Sequence, residues 1–286
     1  MLKRAFIIKE KKDRLGPIAN AVKSTGIDIF DFSEIHLAKD YDSLIVFYNK
    51  SFPKINTRAK VGWWMCDINQ PDRLEKRIDC FDYLFLCNLE YKKEYEEYFG
   101  KPVYYMPQCG LIPKSTTGRE IDWDVLFIGN DSSRWHKNRK EILQWVGNNF
   151  KLKVISGEKT SEDQSYLYKN SKFNLSISLP LNTVTSNRLY NILASEGFAL
   201  VSWFPGIETL FENFKHLVWF KTLKEVKGYI EFYSRISKQK NYNNIKAQGH
   251  ILYKKKHTAE ERLVNMFDIM EGRETEFRGF LNYGKE

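Results

Sequence analysis

The most informative segment of the chain is TSNRLYNILASEGFALVSWFPGIETLF at residues 185–211. Ser186 is of a type that caps helices, and the apolar periodicity after it predicts a helix over residues 187–195. Gly197 is expected to end this helix in a left-handed conformation. The apolar run at 198–203 then predicts a buried strand. A helix followed at once by a buried strand is typical of an α/β sheet.

The rest of the chain repeats this alternation. Short apolar runs separated by polar, helix-competent stretches occur at 4–8, 27–32, 43–47, 61–66, 83–87 and 103–106, and again at 124–129, 152–155 and 173–178. Apolar runs of this length are typical of parallel strands that are buried on both faces. The sequence therefore predicts two α/β units in series.

A linker between these units is predicted at residues 107–120, which include two prolines and two glycines. Such a composition, with few periodic apolar positions, is typical of a segment between domains. We therefore expect a first lobe at 1–118 and a second lobe at 119–265. A C-terminal helical segment at 266–286 is expected to cross back to the first lobe.

The composition bounds the class of protein. Of 286 residues, 42% are hydrophobic and 15% aromatic, which excludes a disordered chain. No apolar run reaches the roughly 20 residues that span a bilayer, and the N-terminal run is too short for a signal peptide. We therefore expect a soluble, cytoplasmic protein. The four cysteines form no Cys-x-x-Cys pair, which favours reduced structural thiols.

The charge balance favours polyanionic partners. The chain has 45 basic and 36 acidic residues, a formal net charge of +9. Nucleic acid, an anionic membrane surface and a diphosphate donor all suit such an excess, and the charge alone does not choose among them.

A phosphate-binding site is predicted at the start of the helix at 187–195. A helix N-terminus after a strand presents free backbone N–H groups and a positive dipole end, here at Ser186 and Asn187. Arg188 in the first turn would add a bidentate cation. Arg188 and Asn191 share one helix face, so the pair could hold the diphosphate and ribose of a nucleotide. An amphipathic helix whose Arg and Asn face solvent fits the same spacing.

A second group of candidates lies in the loop after the run at 124–129. Ligands of α/β folds bind outside the carboxyl ends of strands, and this loop begins with Gly129 and Asn130. Arg134, Lys137 or Arg139 could meet phosphate there, although a solvated turn explains the loop nearly as well. The candidates that follow the next two strands, and that could line a base pocket, are Ser156, Gly157 and Ser178.

The motifs RLYNILA, EGFALVS and PGIETLF, all within residues 186–211, resemble the signature of the CgeB-type, spore-maturation glycosyltransferase-like family. Other motifs follow that family's order: WWMCD at 63–67, FDYLFLC at 81–87, YYMPQCG at 104–110, DVLFIG at 124–129, and a late His257-Thr258 with Arg262. The resemblance covers most of residues 61–265.

The resemblance implies a GT-B enzyme, with two Rossmann-like lobes whose parallel sheets face each other across a cleft. A UDP-sugar donor, UDP-glucose first, would bind the C-terminal lobe without a required metal, and Arg188 would hold its diphosphate. The helix position that is usually a ribose-binding glutamate in such enzymes is Asn191 here. Glu196 is a second candidate for binding ribose.

Transfer to a hydroxyl by an inverting enzyme needs a general base near the acceptor. Asp67, at the end of the apolar run 61–66, is the first candidate, and a turn or helix cap is its alternative role. Asp13, in the loop after the first strand, is the reserve candidate. Both would lie in the N-terminal lobe, where the family binds its acceptor.

The predicted function is transfer of a hexose from a UDP-sugar to a hydroxyl acceptor. Hydroxymethylated pyrimidine in DNA is the leading acceptor, because the layout is similar to that of phage DNA β-glucosyltransferases. Aromatic residues among basic ones, as at residues 229–242, also suit nucleic acid. One alternative is a cell-envelope glycan or protein as acceptor, and another is a non-catalytic nucleic-acid-binding protein. The sugar, the anomeric outcome and the oligomeric state stay open.

Overall fold

The structure is a computed structural model that describes residues 2–8, 22, 25–48, 52, 54–66, 80–110, 121–130, 137–156, 164–178, 181 and 183–283. By its internal contacts the chain forms two compact units. Unit 1 comprises residues 1–111, 182–185 and 258–286, and unit 2 comprises residues 112–181 and 186–257. Most of the predicted linker lies outside the described residues.

Unit 1 contains a six-stranded parallel sheet in the order β2-β1-β3-β4-β5-β6. Its strands are β1 (Arg4–Ile8), β2 (Asp28–Asp31), β3 (Ser43–Phe47), β4 (Lys60–Met65), β5 (Tyr83–Leu86) and β6 (Val103–Tyr105). Helix α1 (Lys92–Phe99) connects β5 to β6. The central strands are buried along most of their length, as the continuous apolar runs predict.

The last helix of the chain, α8 (Ala259–Met270), belongs to unit 1 and packs on β3 and β4. Thr258 caps it by accepting a hydrogen bond from the backbone N–H of Glu261, at 3.3 Å. Arg4 of β1 donates to both carboxylate oxygens of Glu271 at the end of α8, at 2.9 and 2.8 Å. The chain thus joins unit 1 from Thr258 onward, earlier than the residue 266 expected from the sequence.

Unit 2 contains a five-stranded parallel sheet in the order β11-β10-β9-β7-β8. Its strands are β7 (Val125–Ile128), β8 (Leu152–Ile155), β9 (Phe173–Ser176), β10 (Ala199–Ser202) and β11 (Val218–Phe220). Its helices are α2 (Lys137–Asn149), α3 (Gln164–Asn170), α4 (Asn187–Ala194), α5 (Ile207–Leu210), α6 (Leu223–Tyr233) and α7 (Gln239–Lys256). The predicted α/β class with two parallel sheets is confirmed.

The end of helix α4 differs from the sequence prediction. Glu196, not Gly197, takes the left-handed conformation, with φ of 57°. Gly197 is needed for close packing, because a Cβ there would lie 2.7 Å from the carbonyl oxygen of Tyr168 and 2.9 Å from Nδ2 of Asn174. The glycine therefore lets α4 return to β10 directly over the sheet.

No helix among the residues described is both long enough and apolar enough to cross a membrane.

The four cysteines, Cys66, Cys80, Cys87 and Cys109, are free and buried. Burial raises the pKa of the Cys109 thiol to about 12, so this thiol stays protonated.

Candidate functional site

The sheet of unit 2 has a topological switch point at the carboxyl ends of β7 and β9. These two strands are neighbours, and the chain leaves β7 toward β8 on one side and leaves β9 toward β10 on the other. Helix α4 begins shortly after β9. Open parallel sheets bind ligands at such a point, because the diverging connections leave a crevice there.

The side chain of Arg188, in the first turn of α4, lies at this switch point. Its Nε donates to the carbonyl oxygen of Ile128, at the end of β7, at 2.6 Å. Its Nη1 donates to the carbonyl of Ile177, just after β9, at 3.4 Å, and its Cζ lies 4.3 Å from the ring centre of Phe127. The side chain thus spans the two strand ends that define the switch point.

Arg188 and Asn191 are both buried, with 9% and 5% of their surfaces exposed. The alternative interpretation, in which α4 turns these two side chains to solvent, is therefore wrong. The whole of α4 from Arg188 to Leu193 is buried, because the helix packs against α3 and α7 as well as the sheet.

A second arginine reaches the same place from helix α2. Arg139 donates from Nη1 to the carbonyl of Asn130 at 2.6 Å and from Nη2 to the carbonyl of Ile177 at 3.2 Å. Its Cζ lies 5.6 Å from the ring centre of Phe127, the ring that Arg188 also covers. Its Nε is buried and has no hydrogen-bond partner in the part of the chain that the structure describes. The two guanidinium groups therefore converge on one backbone carbonyl.

The two guanidinium groups lie close together in a buried site. Burial and the nearby positive charge of Arg188 lower the pKa of Arg139 to about 10, and burial also lowers the pKa of Arg188. Within the described ranges, no ion pair joins either arginine to an acidic residue. Among the described residues, the partners of these two cations are carbonyl dipoles, and an anion would offset their positive charge.

Gly129 makes room for Arg188. Its φ is 149°, and a Cβ on this residue would lie 2.2 Å from Nη2 of Arg188. Any other residue would have to displace the guanidinium, since a real Cβ contact is never that short. The sequence candidate Gly129 thus shapes the site through Arg188.

Three serine hydroxyls near the same edge are buried and have no hydrogen-bond partner among the described residues: Ser176, Ser178 and Ser186. Ser176 ends β9, Ser178 follows it, and Ser186 is the N-cap of α4, whose side chain makes no capping bond. The backbone N–H of Ser178 is held by Oγ of Ser202 at 2.9 Å. Buried hydroxyls without partners are costly, so these three are available to a polar ligand.

Glu196 does not join this cluster. It lies beyond the C-terminal end of α4, where its carboxylate contacts Lys169 at 3.0 Å and His250 at 3.8 Å. The hydrogen bond from Lys169 lowers the pKa of Glu196. Its position, at the opposite end of the helix from Arg188, gives no support to a ribose-binding role.

Some of the remaining sequence candidates are described by the structure, and others lie outside the described residues. The carbonyl of Asn130 accepts a hydrogen bond from Arg139, Asn187 is the first residue of α4, and Ser156 is exposed directly after β8. The candidates that lie outside the described residues are Asp13, Asp67, Arg134 and Gly157.

Sequence reasoning missed two parts of the site, the ring of Phe127 and the hydroxyl of Ser176. It counted Arg139 only as one of several basic residues in a loop. A signal was present, because Arg139 and Arg188 each follow a predicted strand of the second unit and the carboxyl ends of parallel strands share one edge.

The model of a protein family described as glycosyl transferase-like matches residues 115–268. This range covers more than half of the chain and includes both arginines of the site. A comparison with curated proteins gives no significant match.

Solved structures match over nearly the full chain. An alpha-glucosyltransferase in complex with UDP and a 13-mer DNA containing an HMU base has a TM-score of 0.68 at 11% identity, covering 95% of this chain and 100% of that one. Anabaena Alr3699/HepE in complex with UDP and glucose has a TM-score of 0.59 at 9% identity, covering 95% and 100%. A Rickettsia africae glycosyltransferase has a TM-score of 0.59 at 8% identity, covering 95% and 98%. The predicted GT-B fold class is confirmed, while the CgeB-type name stays a prediction.

Proposed function

We propose, since the chain belongs to the glycosyl transferase-like family, that it transfers a hexose from a UDP-sugar to a hydroxyl group. UDP-glucose is the donor we place first, because UDP and glucose occupy the fold neighbour HepE. The proposed acceptor is a hydroxymethylated pyrimidine in DNA.

The convergence of Arg139 and Arg188 on the carbonyl of Ile177 is the observation that carries this proposal. Transfer of a sugar leaves negative charge on the departing diphosphate, and fixed cations in a site that excludes water stabilise that charge strongly. Two buried guanidiniums at a topological switch point supply this field without reorganisation. Bidentate hydrogen bonding of a phosphate suits both groups.

The rest of the donor fits beside the arginines. The unpartnered hydroxyls of Ser176, Ser178 and Ser186 are donors and acceptors for phosphate or ribose oxygens. Asn191 is buried on the same helix as Arg188, and its amide is our proposed ribose contact in place of the family's usual carboxylate. These groups fit a nucleoside diphosphate as a whole.

Two observations support DNA as the acceptor. The alpha-glucosyltransferase of similar fold holds DNA that contains an HMU base together with UDP. This chain carries a net charge of +9, and counterion release makes such a charge favour nucleic acid. An enzyme that acts on a base must extrude it from the duplex, and mismatched or unpaired bases need the least energy.

Asp67 is our proposed general base, and Asp13 is the reserve. Each would accept the proton of the attacking hydroxyl as the bond from the anomeric carbon to the diphosphate breaks. The leaving diphosphate would depart toward Arg188 and Arg139.

The test is mass spectrometry of nucleosides after incubation of the protein with UDP-glucose and DNA that contains hydroxymethylcytosine or hydroxymethyluracil. The proposal predicts a gain of one hexose on the modified base, with no gain on DNA that lacks the hydroxymethyl group. Arg188→Ala serves as the matched inactive control. UDP-glucose that stabilises the protein thermally but is not consumed with either DNA would overturn the DNA acceptor and direct the search to envelope glycans and proteins.

A further inference from the structure

An aromatic groove lies on unit 2, along helices α6 and α7. Its volume is about 570 Å³, and it is lined in part by Phe214, Tyr229, Phe232, Tyr233, Asn241 and Asn244. This groove is distinct from the arginine site, because β11, which precedes α6, is separated from β7 by β10 and β9. Its size is in the range of small-molecule and base-binding pockets.

Phe214 lies at the rim of the groove in an unfavourable backbone conformation. Its φ is 60°, a conformation that a bulky residue rarely adopts, and 49% of its surface is exposed. The side-chain oxygen of Asn213 accepts hydrogen bonds from the backbone N–H groups of Phe214 and Trp219, each at 3.1 Å. The loop is therefore built to present this ring, which stacks edge-on with Tyr229 at 5.6 Å.

Phe232 forms another aromatic wall, with 37% of its surface exposed. Nζ of Lys238 lies 4.9 Å from the centre of its ring. The groove thus combines open aromatic faces with a cation at its edge. The amides of Asn241 and Asn244 add polar groups that can both donate and accept.

The segment that forms the groove is strongly basic. Residues 221–240 contain six basic and two acidic side chains. Glu225 is used by the cap of α6, where it accepts from the backbone N–H groups of Lys221 and Thr222, and Glu231 faces Lys227 at 3.7 Å. Glu225 lines the groove, but its carboxylate and that of Glu231 already have these partners, whereas the cation of Lys238 lies at the groove's edge.

The positive charge of residues 221–240 indicates which kind of partner binds the groove. A second copy of the chain would bring an identical set of lysines against this one, and like charges across an interface oppose association. A polyanion is favoured, and stacked aromatic rings among cations are how proteins hold single strands without sequence preference. We propose that this groove binds single-stranded nucleic acid, with a base against Phe214 or Phe232 and phosphates on Lys238 and the other basic side chains of residues 221–240.

This binding goes beyond the proposed transfer, because it requires no donor. It would keep an unpaired segment of a polynucleotide on unit 2 while the arginine site remains free for UDP-glucose.

Fluorescence anisotropy of a labelled oligothymidylate tests the proposal on the full chain. Wild type is expected to bind the single strand more tightly than its duplex with oligoadenylate. Phe232→Ser is expected to weaken binding about tenfold, the scale of losing one stacked base. Phe214→Ala is expected to act in the same direction. Ile236→Ser is the control, since Ile236 is 94% exposed nearby but does not line the groove.

Three outcomes would overturn the proposal: no binding of oligothymidylate by wild type, unchanged affinity in Phe232→Ser and Phe214→Ala, or equal loss in Ile236→Ser. Displacement of the strand by polyglutamate as readily as by unlabelled oligothymidylate would also overturn it, because binding would then rest on charge alone. Thermal stabilisation by UDP-glucose, measured on the same variants, is expected to stay at the wild-type value. If UDP-glucose does not stabilise wild type, the donor proposal is contradicted, while the oligothymidylate measurements still decide the proposal for the groove.

Discussion

Arg139 and Arg188 donate to the same acceptor, the backbone carbonyl of Ile177, at 3.2 and 3.4 Å. Two cations on one carbonyl repel each other, and burial prevents water from screening them. The arrangement persists because each guanidinium also has a second carbonyl, of Asn130 or of Ile128, and shares the face of Phe127. A diphosphate would replace this repulsion with two favourable charge pairs.

Gly129→Ala should weaken UDP-glucose binding about tenfold or more. The new Cβ would lie 2.2 Å from Nη2 of Arg188 and force the guanidinium away from the strand ends. Loss of one hydrogen bond to a charged group costs about 1.5–3 kcal/mol. Isothermal titration calorimetry measures the change in dissociation constant.

Gly100→Ala is the matched control for that substitution. Gly100 has φ of 63°, so alanine is strained there as well, but nothing lies within 4 Å of the added Cβ. We expect a modest loss of stability, about 1 kcal/mol, with unchanged donor affinity. Equal weakening of binding in both variants would mean that the effect of Gly129→Ala is general destabilisation.

Arg139→Met should weaken UDP-glucose binding without lowering the stability of the protein. Removing one of two buried like charges relieves their repulsion, and this gain offsets the loss of the hydrogen bonds that Arg139 donates to the carbonyls of Asn130 and Ile177. We therefore expect the free energy of unfolding without ligand to stay equal or rise, while UDP-glucose affinity falls. Denaturant unfolding and calorimetry on the same samples measure both. A large loss of stability would assign Arg139 a structural role instead.

The strands were predictable from the sequence, and the chemistry of the site was predictable only in part. Apolar runs located β1 at Arg4–Ile8, β3 at Ser43–Phe47 and β8 at Leu152–Ile155 to the residue. The seven-residue α3 was not predicted, because its two turns contain few apolar residues. The three-residue β11 was also missed, although its apolar residues resemble those of the equally short β6, which was predicted. Periodicity needs several residues to be visible.

The partners of Arg188 could not be predicted, because they are backbone carbonyls far away in sequence. Only the parallel order β9-β7 brings Ile128 and Ile177 together, and strand order is a tertiary property. The left-handed residue at the end of α4 was misassigned for a related reason. Gly197 is required by its contact with Tyr168 and Asn174, not by its own φ.

Glu196 should contribute to stability only above its pKa. Lys169 lowers the pKa of Glu196 below its ordinary value of 4.5, so the stabilising contribution is complete above about 4.5 and is lost as the pH falls through the lowered pKa. The pair is about half exposed, so the contribution should stay under about 1 kcal/mol. Melting temperatures of wild type and Glu196→Gln should differ slightly at pH 7 and converge on acidification.

Glu196→Gln should also leave UDP-glucose affinity unchanged, because the carboxylate lies at the far end of α4 from Arg188. Calorimetric titration measures this directly. A clear loss of affinity would restore Glu196 as the ribose ligand and displace Asn191 from that role.

Asp67→Asn should spare donor binding and remove turnover. Asparagine keeps the shape of the side chain but cannot take a proton from the acceptor hydroxyl. Thermal stabilisation by UDP-glucose and hexose transfer to hydroxymethylated DNA, measured in parallel, separate the two effects. Unaltered turnover would remove Asp67 from the mechanism and leave Asp13 to be tested by the same substitution.

Calorimetric titration of UDP into wild type and Arg188→Ala tests whether the switch point of unit 2 is the donor site. UDP carries the nucleoside and the diphosphate without the sugar, so the difference in affinity between the two proteins reports on the contribution of Arg188 to nucleotide binding. The account predicts binding by wild type and a loss of about 100-fold in affinity for the variant, with its fold retained by circular dichroism. Equal affinity of the two proteins for UDP would contradict the assignment of this switch point as the donor site.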